Sequence, residues 1–86
     1  MRVRIPTPLR SYTQGQKVVD AAGATIDAVL HDLDRQFPGL RFRVVDEQGR
    51  LRTHMKVFVG PESVRDLGAP VKGLEEITLM QALSGG

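Results

Sequence analysis

The absence of cysteine limits the fold of this 86-residue chain more than any other feature of its sequence. A chain of this length forms one domain, and a domain this small is stabilised only marginally by its core. Neither a disulfide framework nor a thiolate zinc site can supply the missing stability. The two histidines, His31 and His54, are too few to indicate a metal cluster. The sequence therefore predicts a single domain that holds no metal and is stabilised by packing alone.

The clearest secondary-structure signal is an amphipathic helix in the first half of the chain. Its apolar stripe has offsets of 0, 3, 4, 7 and 11, the period of one helix face, and consists of Ile26, Val29, Leu30, Leu33 and Phe37. Thr25 is the expected N-cap, and Asp27 lies where the helix dipole favours a negative charge. Pro38 disfavours a helical conformation at Phe37, so the helix is expected to stop there.

Strand patterns precede and follow this helix in the sequence. Alternating or β-rich runs bounded by glycine and proline predict strands at residues 1–5, 17–20, 55–59, 63–65 and 76–80. Residues 11–16 are polar and contain glycine, so the first two strands are expected to form a hairpin. Residues 40–51 fit either an irregular strand or a helical turn, and the pattern does not separate the two.

The order of these elements predicts an α+β fold with a mixed sheet of four to five strands packed on one main helix. The first and last strands are expected to lie side by side in parallel at the sheet centre, which is the β-grasp arrangement. Alternation along the strands gives the residues expected to face the helix: Val3, Ile5, Val57, Val59, Ile77 and Leu79.

The same alternation directs Phe58, Thr78 and Met80 to the sheet face away from the helix. Apolar side chains on an open face indicate a partner-binding surface. The alternative is that residues 40–51 cover Phe58 and Met80, and the sequence leaves both interpretations open.

Several functional classes find no support in the sequence. Phosphate-binding glycine loops, nucleophile elbows, zinc-peptidase motifs and EF-hands are all missing, so no enzyme site is predicted. Arginines group at positions 41, 43, 50 and 52, but Phe42 is the one aromatic residue among them, which favours a solvated face or an acidic protein partner over nucleic acid. No run approaches the ~20 apolar residues of a membrane span, and the first ten residues lack a signal-peptide pattern, so a cytoplasmic location is expected.

The C-terminus carries the main functional signal. Residues 81–86 are expected to form a flexible tail beyond a body of residues 1–80, and the tail includes Leu83, Ser84, Gly85 and Gly86. Six extended residues span about 20 Å, enough to enter a narrow channel in another protein. Glycine has no Cβ, so it fits a tight tunnel and leaves the terminal carbonyl open to attack. Adenylation of that carboxylate by ATP would make it an electrophile for a sulfur nucleophile.

Considered together, these features resemble the MoaD/ThiS family of sulfur-carrier proteins, which have a ubiquitin-like β-grasp fold. The resemblance covers nearly the whole chain and rests on IPTPLR at residues 5–10, GAT at 23–25, FPGL at 37–40, FV at 58–59, VR at 64–65 and GG at 85–86. The first of these segments is most similar to the branch that serves cysteine biosynthesis. The molybdopterin and thiamine branches are similar but less close.

The resemblance implies a cycle centred on Gly86. An adenylating enzyme of the ubiquitin-activating type would use ATP to activate Gly86, and a sulfur donor would convert it to a thiocarboxylate. A sulfur-accepting synthase would then take the sulfur, and in the cysteine branch a metallopeptidase would release the new residue. The carrier itself would be a protein co-substrate with no bound cofactor.

Two other functions remain open at this stage. A ubiquitin-like modifier would be joined to a target lysine through Gly86, with the same chemistry up to the adenylate. A non-covalent binding module would have its two terminal glycines by chance, and their removal would not change its function.

Overall fold

The computed structural model describes residues 1–72 and 76–82, and within them five strands form one mixed sheet. The strands are β1 (Arg2–Arg4), β2 (Val18–Asp20), β3 (Met55–Val59), β4 (Glu62–Val64) and β5 (Ile77–Gln81). The helices are α1 (Ile26–Gln36) and α2 (Leu40–Val44), with a 3₁₀ helix at Thr7–Leu9. The strand order is β2-β1-β5-β3-β4. The predicted α+β β-grasp fold is confirmed.

The sheet is mixed because β1 and β5 lie parallel at its centre, as the sequence predicted. Val3 is opposite Ile77, and Arg4 is opposite Thr78. The other three pairings, β1 with β2, β3 with β4 and β3 with β5, are antiparallel. The last strand therefore has a partner on each side, which fixes its direction and register.

Helix α1 forms where the sequence predicted it and for the predicted reasons. The Thr25 side chain accepts a hydrogen bond from the backbone N–H of Ala28 at 3.1 Å, which caps the first turn. Ile26, Val29, Leu30 and Leu33 are buried against the sheet. Phe37 lies just beyond the helix end and packs against the core in part.

The inward face of the sheet matches the prediction with one correction. Val3, Ile5, Val57, Ile77 and Leu79 are buried in the core. Val59, expected among them, is only partly buried. It is the last residue of β3, where the chain turns away at Gly60 with φ +56°, so less of the core covers its side chain.

Residues 40–51 contain the helical turn rather than the irregular strand. Gly39 has φ +93°, a conformation that suits glycine, and it redirects the chain from α1 into α2. Leu40 and Val44 on α2 are buried. The Asp46 carboxylate then accepts hydrogen bonds from the backbone N–H groups of Gln48 and Arg50, which closes the following turn.

None of the helices in residues 1–72 and 76–82 is both long and apolar enough to cross a membrane.

Gly23 provides a test of how tightly α1 approaches the preceding chain. A Cβ at this position would lie 2.6 Å from the backbone nitrogen of Val29 and 2.8 Å from the backbone carbon of Ala28. Because neither backbone atom can move without disturbing the helix, Gly23→Ala should lower the free energy of unfolding by about 1–3 kcal/mol. Urea denaturation followed by circular dichroism measures this change.

Gly68→Ala is the matched control, because the nearest atom to its added Cβ is the Asp66 carboxylate oxygen at 3.3 Å, on a side chain that can move. Equal unfolding midpoints for the two variants would contradict the close approach at Gly23.

Candidate functional site

The predicted tail lies mostly outside the described residues. Leu83, Ser84, Gly85 and Gly86 all fall there, so their predicted role in sulfur attachment stays a prediction. The division into a body of residues 1–80 and a tail of residues 81–86 likewise stays a prediction. The structure does show where the chain leaves the sheet on its way to these residues.

The chain leaves the sheet from the end of β5, and the contacts there fix its position. Gln81 still pairs with Met55 across β3, so the strand ends one residue later than the predicted 76–80. The backbone N–H of Ala82 then donates to the carbonyl of His54 at 2.7 Å. We call Gln81 and Ala82 the tail root. Hydrogen bonding to β3 holds the tail root in one place relative to the body.

The three residues predicted to face away from the helix share the open face of the sheet. Phe58 is opposite Thr78 in the register of β3 and β5, and Met80 is opposite Lys56. Met80 is 46% exposed, while Phe58 and Thr78 are half-buried. We call Phe58, Thr78 and Met80 the sheet-face patch. Their role in partner binding stays a prediction.

The alternative that residues 40–51 cover Phe58 and Met80 is wrong for Met80, since this side chain is exposed and α2 directs Leu40 and Val44 into the core. For Phe58, which is half-buried, the alternative stays open.

Charged side chains flank the sheet-face patch. Arg4 on β1 donates through Nε to Glu76 Oε1 at 2.7 Å, next to the central pairing of β1 and β5. Lys56 is exposed beside Met80. An exposed ion pair of this kind contributes little to stability. Together with Lys56, the ion pair places charged groups beside Phe58, Thr78 and Met80, an arrangement also found at the polar rim of protein interfaces.

A second surface feature borders the tail root and was not predicted. A cavity of about 330 Å³ is lined by Phe42, Arg43, Glu47, Arg52, His54 and Gln81. We call it the tail-root cleft. The arginine grouping is visible in the sequence, but its position beside Gln81 is not, because residues so far apart in the chain line one cleft only after folding. His54, one of the two histidines in the chain, also lines this cleft.

Hydrogen bonds lower the pKa of two carboxyl groups in the described part of the chain. The Arg35 side chain, by hydrogen bonding, holds the pKa of Asp32 below its ordinary value, and the backbone N–H of Arg50 does the same for the pKa of Asp46. On the outer face of α1, Nε2 of His31 lies 3.4 Å from Oδ2 of Asp27. Among residues 1–72 and 76–82, no group of three or more His, Cys, Asp or Glu side chains is placed to hold a metal ion.

The chain matches known sequences over almost its full length. The sequence model of the ThiS family matches residues 3–86. The sulfur carrier protein CysO of Mycobacterium tuberculosis (strain H37Rv) is 36% identical over an alignment of 89 positions, which covers 98% of this chain and 96% of that protein. CysO of Mycobacterium bovis matches with the same values.

Solved structures agree with the sequence matches. CysO in a crystal structure of the Amycolatopsis orientalis BexX/CysO complex gives a TM-score of 0.91 at 38% identity, with 99% of this chain and 98% of that chain covered. A crystal structure of Mycobacterium tuberculosis CysO gives 0.90 at 34% identity, covering 95% and 98%. SAMP1 from Haloferax volcanii gives 0.80 at 29% identity, covering 100% and 98%. The chain belongs to the ThiS family, and its likeness to CysO supports a sulfur-carrier function.

Proposed function

We propose that this chain is a sulfur carrier that holds sulfur as a thiocarboxylate on Gly86. The observation that carries the proposal is the ThiS family match, which runs from residue 3 through Gly86 and is accompanied by 36% identity to CysO over 98% of the chain. The terminal glycines therefore fall inside the family likeness rather than beyond it. The chain contains no cysteine, so a persulfide on the carrier itself is not an alternative way to hold sulfur.

The chemistry at Gly86 takes two displacement steps. In the first, a carboxylate oxygen of Gly86 attacks the α-phosphorus of ATP, and pyrophosphate leaves. In the second, hydrosulfide attacks the carbonyl carbon of the acyl adenylate, and AMP leaves with that oxygen. One carboxylate oxygen is thereby replaced by sulfur, with no oxidation or reduction. The adenylating enzyme binds the ATP, and the carrier contributes the carboxylate.

The geometry of the body supports this division of labour. Four residues follow Ala82, and they extend at most about 14 Å. An adenylating centre that reaches Gly86 must therefore approach the tail root closely. Because Ala82 is hydrogen-bonded to His54 and Gln81 is paired with Met55, the body presents the tail from a fixed point. A fixed starting point reduces the conformational entropy that is lost when the tail enters a channel.

The sheet-face patch is the proposed contact surface for both the adenylating enzyme and the sulfur-accepting synthase. Met80 is exposed, lies one residue before the tail root and is flanked by Lys56. A partner that receives the tail can therefore cover Met80 without moving far from Gly86. Phe58 and Thr78 extend the same surface across β3 and β5.

The proposed pathway follows from the relatives. The curated relatives are CysO proteins, whose name assigns them to sulfur transfer, and the resemblance to the cysteine branch indicates a cysteine synthase as the acceptor. Such a synthase would accept an activated serine derivative, and a metallopeptidase would then release the cysteine from the tail. The BexX/CysO complex supports the idea that carriers with this fold form specific complexes with partner proteins.

A ubiquitin-like modifier is the second candidate, because SAMP1 of Haloferax volcanii, a small archaeal modifier protein, has the same fold at 29% identity. In that role a lysine amine of a target protein would attack the carbonyl carbon of the Gly86 adenylate, AMP would leave, and an isopeptide bond would form. Lysine-linked conjugates that form in lysate with ATP, and that are absent when Gly86 is deleted, would support it. Both roles share the adenylation step.

Deletion of the terminal glycines tests the proposed function at its first step. With an adenylating enzyme of the ubiquitin-activating type from the same organism, the intact chain should stimulate exchange of labelled pyrophosphate into ATP. Removal of Gly85 and Gly86 should reduce this exchange at least 100-fold, since the remaining terminus falls short of the adenylating centre. Exchange that is unchanged by the deletion would contradict Gly86 as the adenylated group, and no exchange with the intact chain would favour a non-covalent module.

Met80→Asp tests the sheet-face patch. Because Met80 is exposed, the substitution should change the free energy of unfolding by less than about 0.5 kcal/mol. It should nevertheless raise the KM of the carrier for adenylation at least tenfold, since it places a charge in an apolar interface. Ser11→Asp is the control, because Ser11 is exposed in the turn before β2. Equal KM values for the two variants would contradict the proposed surface.

A further inference from the structure

The tail-root cleft combines an exposed aromatic ring with arginine side chains. Phe42, on α2, is 54% exposed, and it joins Met80 as the two large hydrophobic side chains that are exposed in residues 1–72 and 76–82. Both are close to the tail root: Met80 precedes Gln81 in sequence, and Phe42 lines the same cleft as Gln81. Exposed apolar groups therefore lie on two sides of the point where the tail begins.

The ring of Phe42 is held in position by Arg52. The guanidinium carbon of Arg52 lies 4.7 Å from the ring centroid, and its Nε donates to the Phe42 carbonyl at 2.8 Å. These two contacts fix the guanidinium over one face of the ring. An aromatic side chain that is already ordered loses little entropy when a partner covers it, which is how a binding hot spot is built.

The charges of the cleft favour an acidic partner. Arg43 and Arg52 contribute two positive charges, and Glu47 contributes one negative charge. Arg43 is exposed, and its side chain makes no hydrogen bond or ion pair with any residue in the described part of the chain. Its guanidinium can therefore donate two hydrogen bonds to a carboxylate of a partner in a bidentate pair. Glu47 would repel a phosphate backbone, and Arg52 already lies over the Phe42 ring, which leaves less of it for base stacking, so a protein surface fits better than RNA.

We propose that the tail-root cleft docks the mouth of the tail channel in the adenylating enzyme, with an apolar pocket covering Phe42 and carboxylates facing Arg43. This inference rests on the proposed function. Since Gly86 lies at most about 14 Å of extended chain beyond Ala82, an enzyme that adenylates Gly86 must surround the tail root. The cleft borders the tail root on one side and the sheet-face patch borders it on the other, so the two surfaces form one collar around the tail.

Two variants test the cleft by steady-state pyrophosphate exchange with the adenylating enzyme of the same organism. Phe42→Ala and Arg43→Glu should each raise the KM of the carrier about tenfold and leave kcat unchanged, since neither residue reaches the reacting carboxylate. Arg43→Glu should also flatten the increase of KM with salt, because it removes an attractive charge from the encounter. Arg35→Glu is the control with the same charge change, since Arg35 is exposed on α1 and does not line the cleft.

The outcomes separate the inference from the function on which it rests. Absence of exchange with the wild-type chain would overturn the proposed function. Exchange with unchanged KM in both variants would overturn the docking cleft alone. Binding of oligouridylate by the wild-type chain, lost in Arg43→Glu while KM stays unchanged, would reassign the cleft to RNA. Thermal melting of each variant checks that its fold is intact. A rise in KM in Arg35→Glu equal to that in Arg43→Glu would also contradict a local role for the cleft.

Discussion

The parallel pairing of β1 with β5 is the constraint on which the rest of the structure depends. Val3 opposite Ile77 and Arg4 opposite Thr78 join the two ends of the chain at the sheet centre. Antiparallel pairing with β3, from Val59–Ile77 to Met55–Gln81, then fixes β5 from its other side. Both neighbours hold the start of β5, and its end, where the tail leaves the body, is held by the Met55–Gln81 pair and by the hydrogen bond from Ala82 to His54. This is what a carrier needs if partners are to recognise its body and receive its terminus together.

We propose that partner proteins contact the surfaces on both sides of that exit point. On the sheet face they would cover the half-buried Phe58 and Thr78 and the exposed Met80, which lies next to the tail root. On the other side, Phe42 and its ordered guanidinium partner Arg52 form a second apolar and cationic contact. A partner that binds both surfaces would orient the body through the sheet face and would fix the position of the tail root through the cleft. In this account, specificity lies in the body and reactivity lies in the terminal glycine.

The sequence predicted the elements whose signals are local. The 3.6-residue stripe and Thr25 cap defined α1, and alternation around Val57 and Leu79 defined the inward face. Residues 40–51 were ambiguous because Arg41-Phe42-Arg43 has the period of a strand, while α2 is too short to show more than Leu40 and Val44 as a helical pair. The prediction that Val59 faces the core with the other inward residues needed correction, because the alternation of side chains along a strand does not show where the strand ends. The tail-root cleft depends on contact between residues far apart in the chain, which no local pattern encodes.

The central claim, that Gly86 carries the sulfur, is tested most directly by mass. The chain is incubated with ATP, the adenylating enzyme and sulfide, and the site of any modification is located by fragmentation and by a thiocarboxylate-selective alkylating reagent. Fragmentation is needed because oxidation of Met1, Met55 or Met80 produces nearly the same mass change as replacement of one oxygen by sulfur. We expect the modification at Gly86, dependent on ATP and absent from the chain that lacks Gly86. An unmodified terminus in the presence of enzymes that adenylate the chain would contradict the sulfur-carrier account.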